Sequence, residues 1–220
     1  MSRKGRAHAN GEDCADDYVA SYAESHRDDC SESYRIDYIG SALVEAVLRD
    51  YTMLFIGCGT CGFFRLSPNA RRIVALDRSP KMIEKCREIV ERFQLRNVEP
   101  RQGSFEEFRS EVTFDVIHSA GVHGSYLPHT EASLAKMAAL VRQGGYGLFG
   151  IFPHRRSLKH LWRRTKSHLR GKPLTEIDPD RFEAMLSRQG WEVVCALRRK
   201  SGRDRYGDTA TQHLYLCRRS

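Results

Sequence analysis

Long apolar runs are missing from this 220-residue sequence. None approaches the ~20 residues that a membrane-spanning helix needs. The basic start, Met1-Ser-Arg-Lys-Gly-Arg-Ala-His8, is followed by no apolar signal core. Stable membrane insertion and secretion are therefore not expected. A disulfide framework is missing too. The seven cysteines (Cys14, Cys30, Cys58, Cys61, Cys86, Cys195 and Cys217) are odd in number and widely spread, as for reduced thiols in a cytoplasmic protein. Cys58-x-x-Cys61 spells half of a zinc or redox motif, but no second pair with ligand spacing accompanies it, so no metal is expected. Acid is scarce in two stretches. His154 to Lys172 holds eight Lys or Arg and no Asp or Glu, and Arg198 to Arg205 holds five against one Asp. The whole chain carries +8. Either this is a solvated basic face, or it meets a negatively charged partner such as an acidic small molecule, a phosphate or RNA.

What is present is an ordinary globular composition, 40% hydrophobic and 29% charged, with enough chain for one sizeable core. The organising stretch is Tyr51-Thr-Met-Leu-Phe-Ile-Gly-Cys-Gly-Thr-Cys-Gly62. An apolar run ending in glycines reads as a buried parallel strand and a sharp turn that a ligand can approach closely. A second apolar strand, Ile73-Val-Ala-Leu-Asp77, ends in a carboxylate. Strand, glycine turn, helix and acid-tipped strand together suit an adenosine, whose ribose offers two hydroxyls to one carboxylate.

Along the chain, residues 1–13 read as a disordered tail and 14–220 as one domain. Within it, 14–50 forms a helical cap, with helices at Asp16–Glu24 and Tyr34–Arg49. Ile39, Leu43, Val47 and Leu48 mark the buried stripe of the second helix. The core spans 51–152. Cys61 precedes an expected helix with Phe63, Phe64 and Leu66 on the sheet. Ser79-Pro80 opens a helix with Met82, Cys86, Ile89, Val90 and Phe93 inward. Strands follow at 97–101 and 114–118. Thr130 caps a helix running toward Gly144-Gly145, with Leu134, Met137, Ala138 and Val141 inward, and a fifth strand covers 146–152. The basic insertion 153–176 comes next. Asp178-Pro179 then opens a helix with Phe182, Met185 and Leu186 inward. The last two strands, Trp191–Leu197 and Gln212–Cys217, are joined without a helix and can pair antiparallel. Repeated β-α units imply a doubly wound parallel sheet.

Taken together, these stretches resemble the class I S-adenosylmethionine-dependent methyltransferases. Met53-Leu-Phe-Ile-Gly-Cys-Gly-Thr-Cys-Gly62 is similar to the family's first motif. Ala75-Leu-Asp-Arg-Ser-Pro-Lys-Met82 is similar to the second-strand motif. Gly103-Ser104-Phe105 stands where the family has Gly-Asp, Phe114-Asp-Val-Ile opens the fourth-strand motif, and Leu140-Val-Arg-Gln-Gly-Gly145 matches the turn before the fifth strand. The resemblance implies an α/β fold with a doubly wound, mostly parallel seven-stranded sheet. Its last strand is antiparallel, its helices cover both faces, and an N-terminal helical cap precedes it. It also implies S-adenosyl-L-methionine as cofactor. The positions it assigns to that cofactor are Gly57, Cys58, Gly59, Asp77, Arg78, Met82, Ser104, Phe105, His118, Ser119 and, from the cap, Tyr22. Three departures stand out: Phe55 replaces an acid, Cys61 a glycine, and Ser104 the adenine-binding Asp. The spacing Gly57-x-Gly59-x-x-Gly62 also fits a dinucleotide fingerprint, but Asp-x-Ser-x-x-Met and the terminal hairpin favour the methyltransferase.

Candidate bases cluster in His118-Ser-Ala-Gly-Val-His123-Gly-Ser-Tyr126-Leu-Pro-His129, at the strand end where open α/β sheets bind ligands. His123 is the first choice as base, followed by His118, with Tyr126 alongside; alternatively, these are structural histidines and proximity does the work. After the fifth strand, His154, Arg155, Arg156 and Trp162 are expected to line an acceptor pocket that favours an anionic small molecule. The same segment also reads as an amphipathic cover helix or a membrane-surface helix. The expected activity is methyl transfer to an O or N atom of a small-molecule acceptor. RNA methylation is the alternative within enzymes, and a cofactor-binding homologue without turnover is the alternative outside them. Oligomeric state is not legible.

Overall fold

The computed structural model describes residues 35–60, 64, 67–120, 130–153, 165, 176–203 and 209–220. Its elements run in the order α1 (Arg35–Val47), β1 (Tyr51–Ile56), β2 (Ala70–Asp77), α2 (Pro80–Arg92), β3 (Val98–Gln102), β4 (Phe114–Ser119), α3 (Glu131–Leu140), β5 (Val141–Ile151), α4 (Pro179–Arg188), β6 (Trp191–Arg203) and β7 (Thr209–Arg219). One seven-stranded sheet has the order β3-β2-β1-β4-β5-β7-β6. β7 runs antiparallel to both of its neighbours, β5 and β6, while the other pairs are parallel. This is the expected doubly wound sheet with a reversed final strand.

Two apolar clusters sandwich the sheet. One joins Leu54, Ile56, Ile117, Phe149 and Tyr215 to α3 and α4. The other joins Met53, Phe55, Ile73, Val116 and Leu148 to α1 and α2. The odd and even residues of each strand thus serve opposite faces, as a parallel sheet covered on both sides requires. Trp191, Phe149 and Phe182 pack edge to face near the sheet's far end.

Local chemistry fixes the element starts. Ser79 caps α2 by accepting from Met82 N, with Pro80 in the first turn. Thr130 and Ser133 form a reciprocal capping box on α3. Asp178 caps α4 by accepting from Arg181 N. These are the caps the sequence pointed to.

Several boundaries differ from expectation. The helix starting after Thr130 ends at Leu140 rather than continuing toward Gly144-Gly145. Val141 is already strand, paired with Phe114. Val141 is extended backbone (φ −106°, ψ 136°), and a Cβ on Gly145 would lie 2.7 Å from Asp115 O and 2.6 Å from Val141 Cγ1. This glycine is needed for strand contact and does not serve as a helix stop. Among the described side chains of α1, Ser41 and Val44 are buried, and Val47 is 61% exposed. The helix has turned so that Leu43 and Leu48 only flank the core. On α2 the buried set is Met82, Ile83 and Cys86, with Phe93 exposed. β6 and β7 are longer than the sequence suggested because each continues pairing into the polar stretch. The expectation of reduced thiols is corrected at one position, since Cys86 is disulfide-bonded. Cys58, Cys195 and Cys217 are free. The expected helices at 16–24, after Cys61 and in 153–176 lie outside the described residues or nearly so.

Candidate active site

The site grows out of the ends of β1, β2 and β4. As β1 leaves the sheet, Gly57 and Gly59 take φ values of 66° and 54°. Side chains rarely adopt this left-handed region, so glycine is required at both turns. The turn is pinned to β2, because Gly57 N and Cys58 N both donate to Leu76 O, at 2.7 and 3.1 Å.

Asp77 then ties the two strand ends together. Gly59 N donates to its Oδ2 at 3.0 Å, and Ser79 N donates to its Oδ1 at 2.9 Å. Burial raises its pKa, while the N–H groups of Ser79 and Gly59 and the nearby Arg78 charge oppose the rise without cancelling it. Each carboxylate oxygen has used one backbone donor and keeps acceptor capacity for another. A ligand bringing two hydroxyls would relieve this under-solvated charge.

Around this centre the other candidate positions take distinct stations. Arg78 is exposed, and Met82 is buried under the first turn of α2. Gly103 N donates to Asp77 O at 2.9 Å, which brings Ser104 and Phe105 beside the carboxylate's strand. Ser104 Oγ accepts from Glu107 N at 3.2 Å. The Phe105 ring is buried in the core on the α3 side. Lys136 staples this loop: its Nζ donates to Phe105 O at 2.6 Å and Glu106 O at 2.8 Å, and sits 4.9 Å from the Phe105 ring centroid. Nothing in the sequence singled out Lys136. Its only signal was a lone cation on a helix rich in alanine and leucine.

Cys58 is 3% exposed. Burial first, then the Asp77 charge, push its thiol upward, so it stays protonated. That is the wrong state for a nucleophile or metal ligand. Among the described residues, no three His, Cys, Asp or Glu side chains gather as a metal site.

At the end of β4, His118 and Ser119 are 1% and 0% exposed. The His118 ring stacks on Phe55 of β1, with centroids 4.0 Å apart and planes 16° from parallel. The two residues stand directly opposite in register. Phe64 meets the other edge of Phe55, T-shaped at 5.4 Å. Phe55, the departure noted in the glycine motif, is thus the platform for a buried imidazole, a pairing invisible without the register. Burial pushes the His118 pKa down to about 3. Its Nδ1 accepts from Ala120 N at 3.5 Å, which leaves the proton on Nε2. Nε2 and Ser119 Oγ are buried without a hydrogen-bond partner. The structure brings together Gly57, Cys58, Gly59 and Asp77, with His118 and Ser119 on the next strand. Tyr22, His123, Tyr126, His154, Arg155, Arg156 and Trp162 lie outside the described residues.

A parallel sheet, a glycine turn and an acid-tipped second strand define an α/β enzyme with an adenosine site at its carboxyl edge. Residues 48–190 match the model of a methyltransferase domain family. No curated protein matches the sequence. Among solved structures, the N-methyltransferase NodS from Bradyrhizobium japonicum WM9, in complex with S-adenosyl-L-homocysteine, has a similar fold. Its TM-score is 0.71 at 16% identity, covering 96% of this chain and 99% of that one. Magnesium protoporphyrin IX methyltransferase from Synechocystis PCC 6803, also with bound S-adenosyl-L-homocysteine, gives 0.66 at 12% identity over 98% and 90% of the two chains. TehB from Haemophilus influenzae gives 0.67 at 14% identity over 90% and 66%. The chain belongs to the methyltransferase domain family and is a class I S-adenosylmethionine-dependent methyltransferase, with S-adenosylmethionine as its cofactor.

Proposed function

We propose that the enzyme methylates an O or N atom of a small-molecule acceptor. The observation that carries this reading is the pair of buried, unpartnered polar atoms at the end of β4, His118 Nε2 and Ser119 Oγ. Buried polar groups are satisfied in folded proteins unless something else completes them. Both atoms sit at the strand end beside the cofactor turn, one on each face of the sheet, where a bound ligand would complete them. Two proteins of similar fold agree in kind, one being an N-methyltransferase and the other acting on magnesium protoporphyrin IX.

The residues fit the cofactor. Asp77 would hold the ribose hydroxyls, and the Gly57-Cys58-Gly59 turn would let the backbone come close. Met82 would lie beneath, Arg78 at the mouth, and Ser104 and Phe105 at the adenine edge. His118 and Ser119 would meet the reacting end, and Tyr22 would close from the cap. The cofactor supplies a methyl group activated by its sulfonium charge. These residues would hold the acceptor's lone pair in line with that methyl group, and a base of this chain would take the acceptor's proton. Alignment of the reacting atoms can supply roughly 7–11 kcal/mol, and a base about 10²–10⁴-fold. Burial makes His118 too weak a base at neutral pH, so we assign the proton to His123, assisted by Tyr126. His154, Arg155, Arg156 and Trp162 would line the acceptor side.

The test is transfer of isotope-labelled methyl to panels of phenols, carboxylic acids, amines and total RNA. Label on small hydroxyl or amino compounds, lost in His123→Ala, supports the proposal. Label on RNA alone, with binding that falls steeply with salt, would contradict it.

A further inference from the structure

The loop from Gly103 to Phe108 lies between β3 and β4 and carries the two positions proposed at the adenine edge. It is one tight turn. Ser104 opens it, with Oγ accepting from Glu107 N at 3.2 Å and its carbonyl accepting from Phe108 N at 3.0 Å. The Ser104 side chain is therefore engaged within the turn. A short hydroxyl already used in this way offers a ligand less than a free carboxylate would. How well the loop meets a base then depends on where its backbone is held.

Three ties hold that backbone. At the start, Gly103 N donates to Asp77 O at 2.9 Å, which joins the loop to the strand bearing the ribose acid. Beneath it, the Phe105 and Phe108 side chains are buried in the core. The third tie is Lys136 of α3, whose Nζ donates to Phe105 O at 2.6 Å and to Glu106 O at 2.8 Å and lies 4.9 Å from the Phe105 ring centroid. A single turn leaves its later carbonyls without backbone partners, and hydrogen bonds from a charged donor are roughly twice as strong as neutral ones. Arg109 also donates to Glu106 O and to Phe108 O, each at 2.9 Å. It belongs to the same stretch of chain, so it stiffens the turn without anchoring it. Among the described residues, Lys136 is the only side chain from outside the loop that bonds to the loop's backbone.

Lys136 is itself well held. The Thr130–Ser133 capping box locks the start of α3, and Leu134, Met137 and Ala138 on either side of Lys136 are buried. The ammonium thus passes the position of a packed helix to a loop 31 residues away in sequence.

We propose that Lys136 is a positioning residue for the cofactor. It sets where the Ser104–Phe105 backbone stands against the adenine, and so governs selectivity for that base. This rests on the methyl-transfer reading, in which Ser104 and Phe105 meet the adenine, and it adds the side chain that determines how well they do so.

The probes are S-adenosylhomocysteine and S-inosylhomocysteine. Hypoxanthine reverses adenine's donor and acceptor along one edge and leaves the ribose and the amino-acid tail unchanged. Kd for each is measured by calorimetry on wild type, Lys136→Met and Lys136→Gln. Met keeps the apolar stem and removes both bonds, while the shorter, neutral Gln amide cannot bridge both carbonyls. Wild type is expected to prefer adenine by about tenfold or more, the range of one or two hydrogen bonds. In each variant S-adenosylhomocysteine should bind roughly tenfold more weakly, and the preference should shrink to about twofold. Both ligands meet the same folded protein, so any loss of stability cancels from the ratio. A purely structural Lys136 would lower Tm and leave the ratio at its wild-type value, and that result in either variant would overturn the proposal. Equal binding of the two ligands by wild type would do the same. Failure of wild type to bind S-adenosylhomocysteine would overturn the methyl-transfer reading as well; an adenine preference that survives the loss of Lys136 would overturn the positioning role alone.

Discussion

The two ends of the sheet are built on opposite terms. At the end where β1 and β4 begin, polar groups are paired. Asp115 accepts from Thr52 N at 2.7 Å and Thr52 Oγ1 at 3.0 Å, and from Arg142. Glu99 is held by Arg72 and Arg101. Hydrogen bonds from Arg142 and Thr52 outweigh burial and lower the Asp115 pKa, and those from Arg72 and Arg101 lower that of Glu99. At the opposite end, Asp77 is pushed upward by burial, His118 is pushed down to about 3, and Ser119 and His213 carry unpartnered polar atoms. One end is finished by the chain itself, while the other is left for something the chain does not supply. Perturbed, unsatisfied groups gathered at one edge mark function more surely than any single motif.

Breaking the unfinished end should cost binding more than stability. Asp77→Ala removes the proposed acceptor for both ribose hydroxyls. S-adenosylhomocysteine affinity, read by calorimetry, should fall at least about 100-fold, since hydrogen bonds to a charged group contribute about 1.5–3 kcal/mol each. Unchanged affinity would refute the assignment of Asp77.

His118 separates the ends by pH. Its folded pKa lies below the unfolded value, so the folded state resists protonation, and stability falls as pH drops from the unfolded pKa toward about 3. Each pH unit below about 6.5 costs up to ~1.4 kcal/mol. Denaturant melts of His118→Leu should lose about 1–3 kcal/mol less than wild type between pH 6.5 and pH 4.5. Parallel pH curves for the two proteins would contradict a buried neutral imidazole.

At the finished end the signs reverse. Asp115 has a depressed pKa, so its contribution is present at neutral pH and is lost as pH falls through the folded value. Asp115→Asn should destabilise by about 1–2 kcal/mol at pH 7 and leave S-adenosylhomocysteine affinity unchanged. The smallest effect is expected at Arg72, whose exposed ion pair with Glu99 should be worth less than about 1 kcal/mol when Arg72→Ala is melted.

Much of this arrangement was readable from the sequence. The apolar run into Gly57 and Gly59, the acid at Asp77 and the caps at Ser79, Thr130 and Asp178 are local signals, and each acts within a few residues. What stayed hidden depends on register. Phe55 read as a lost acid, and only the pairing of β1 with β4 shows it carrying His118. Val141 read as a helix residue because its strand partner, Phe114, lies far away in sequence. His213 and Tyr215 read as strand residues in a terminal hairpin. Only the reversed pairing of β7 with β5 sets Tyr215 level with Ser119 and lifts His213 to the height of the cofactor turn. Lys136 drew no attention because its partners are backbone carbonyls of a loop about thirty residues away.

A crystal structure with S-adenosylhomocysteine bound would probe the unfinished edge at atomic detail. The expected result is both ribose hydroxyls on the Asp77 carboxylate, with the cofactor's sulfur turned toward Ser119 at the end of β4. A cofactor seated elsewhere, with Asp77 keeping only its bonds to Gly59 N and Ser79 N, would contradict it.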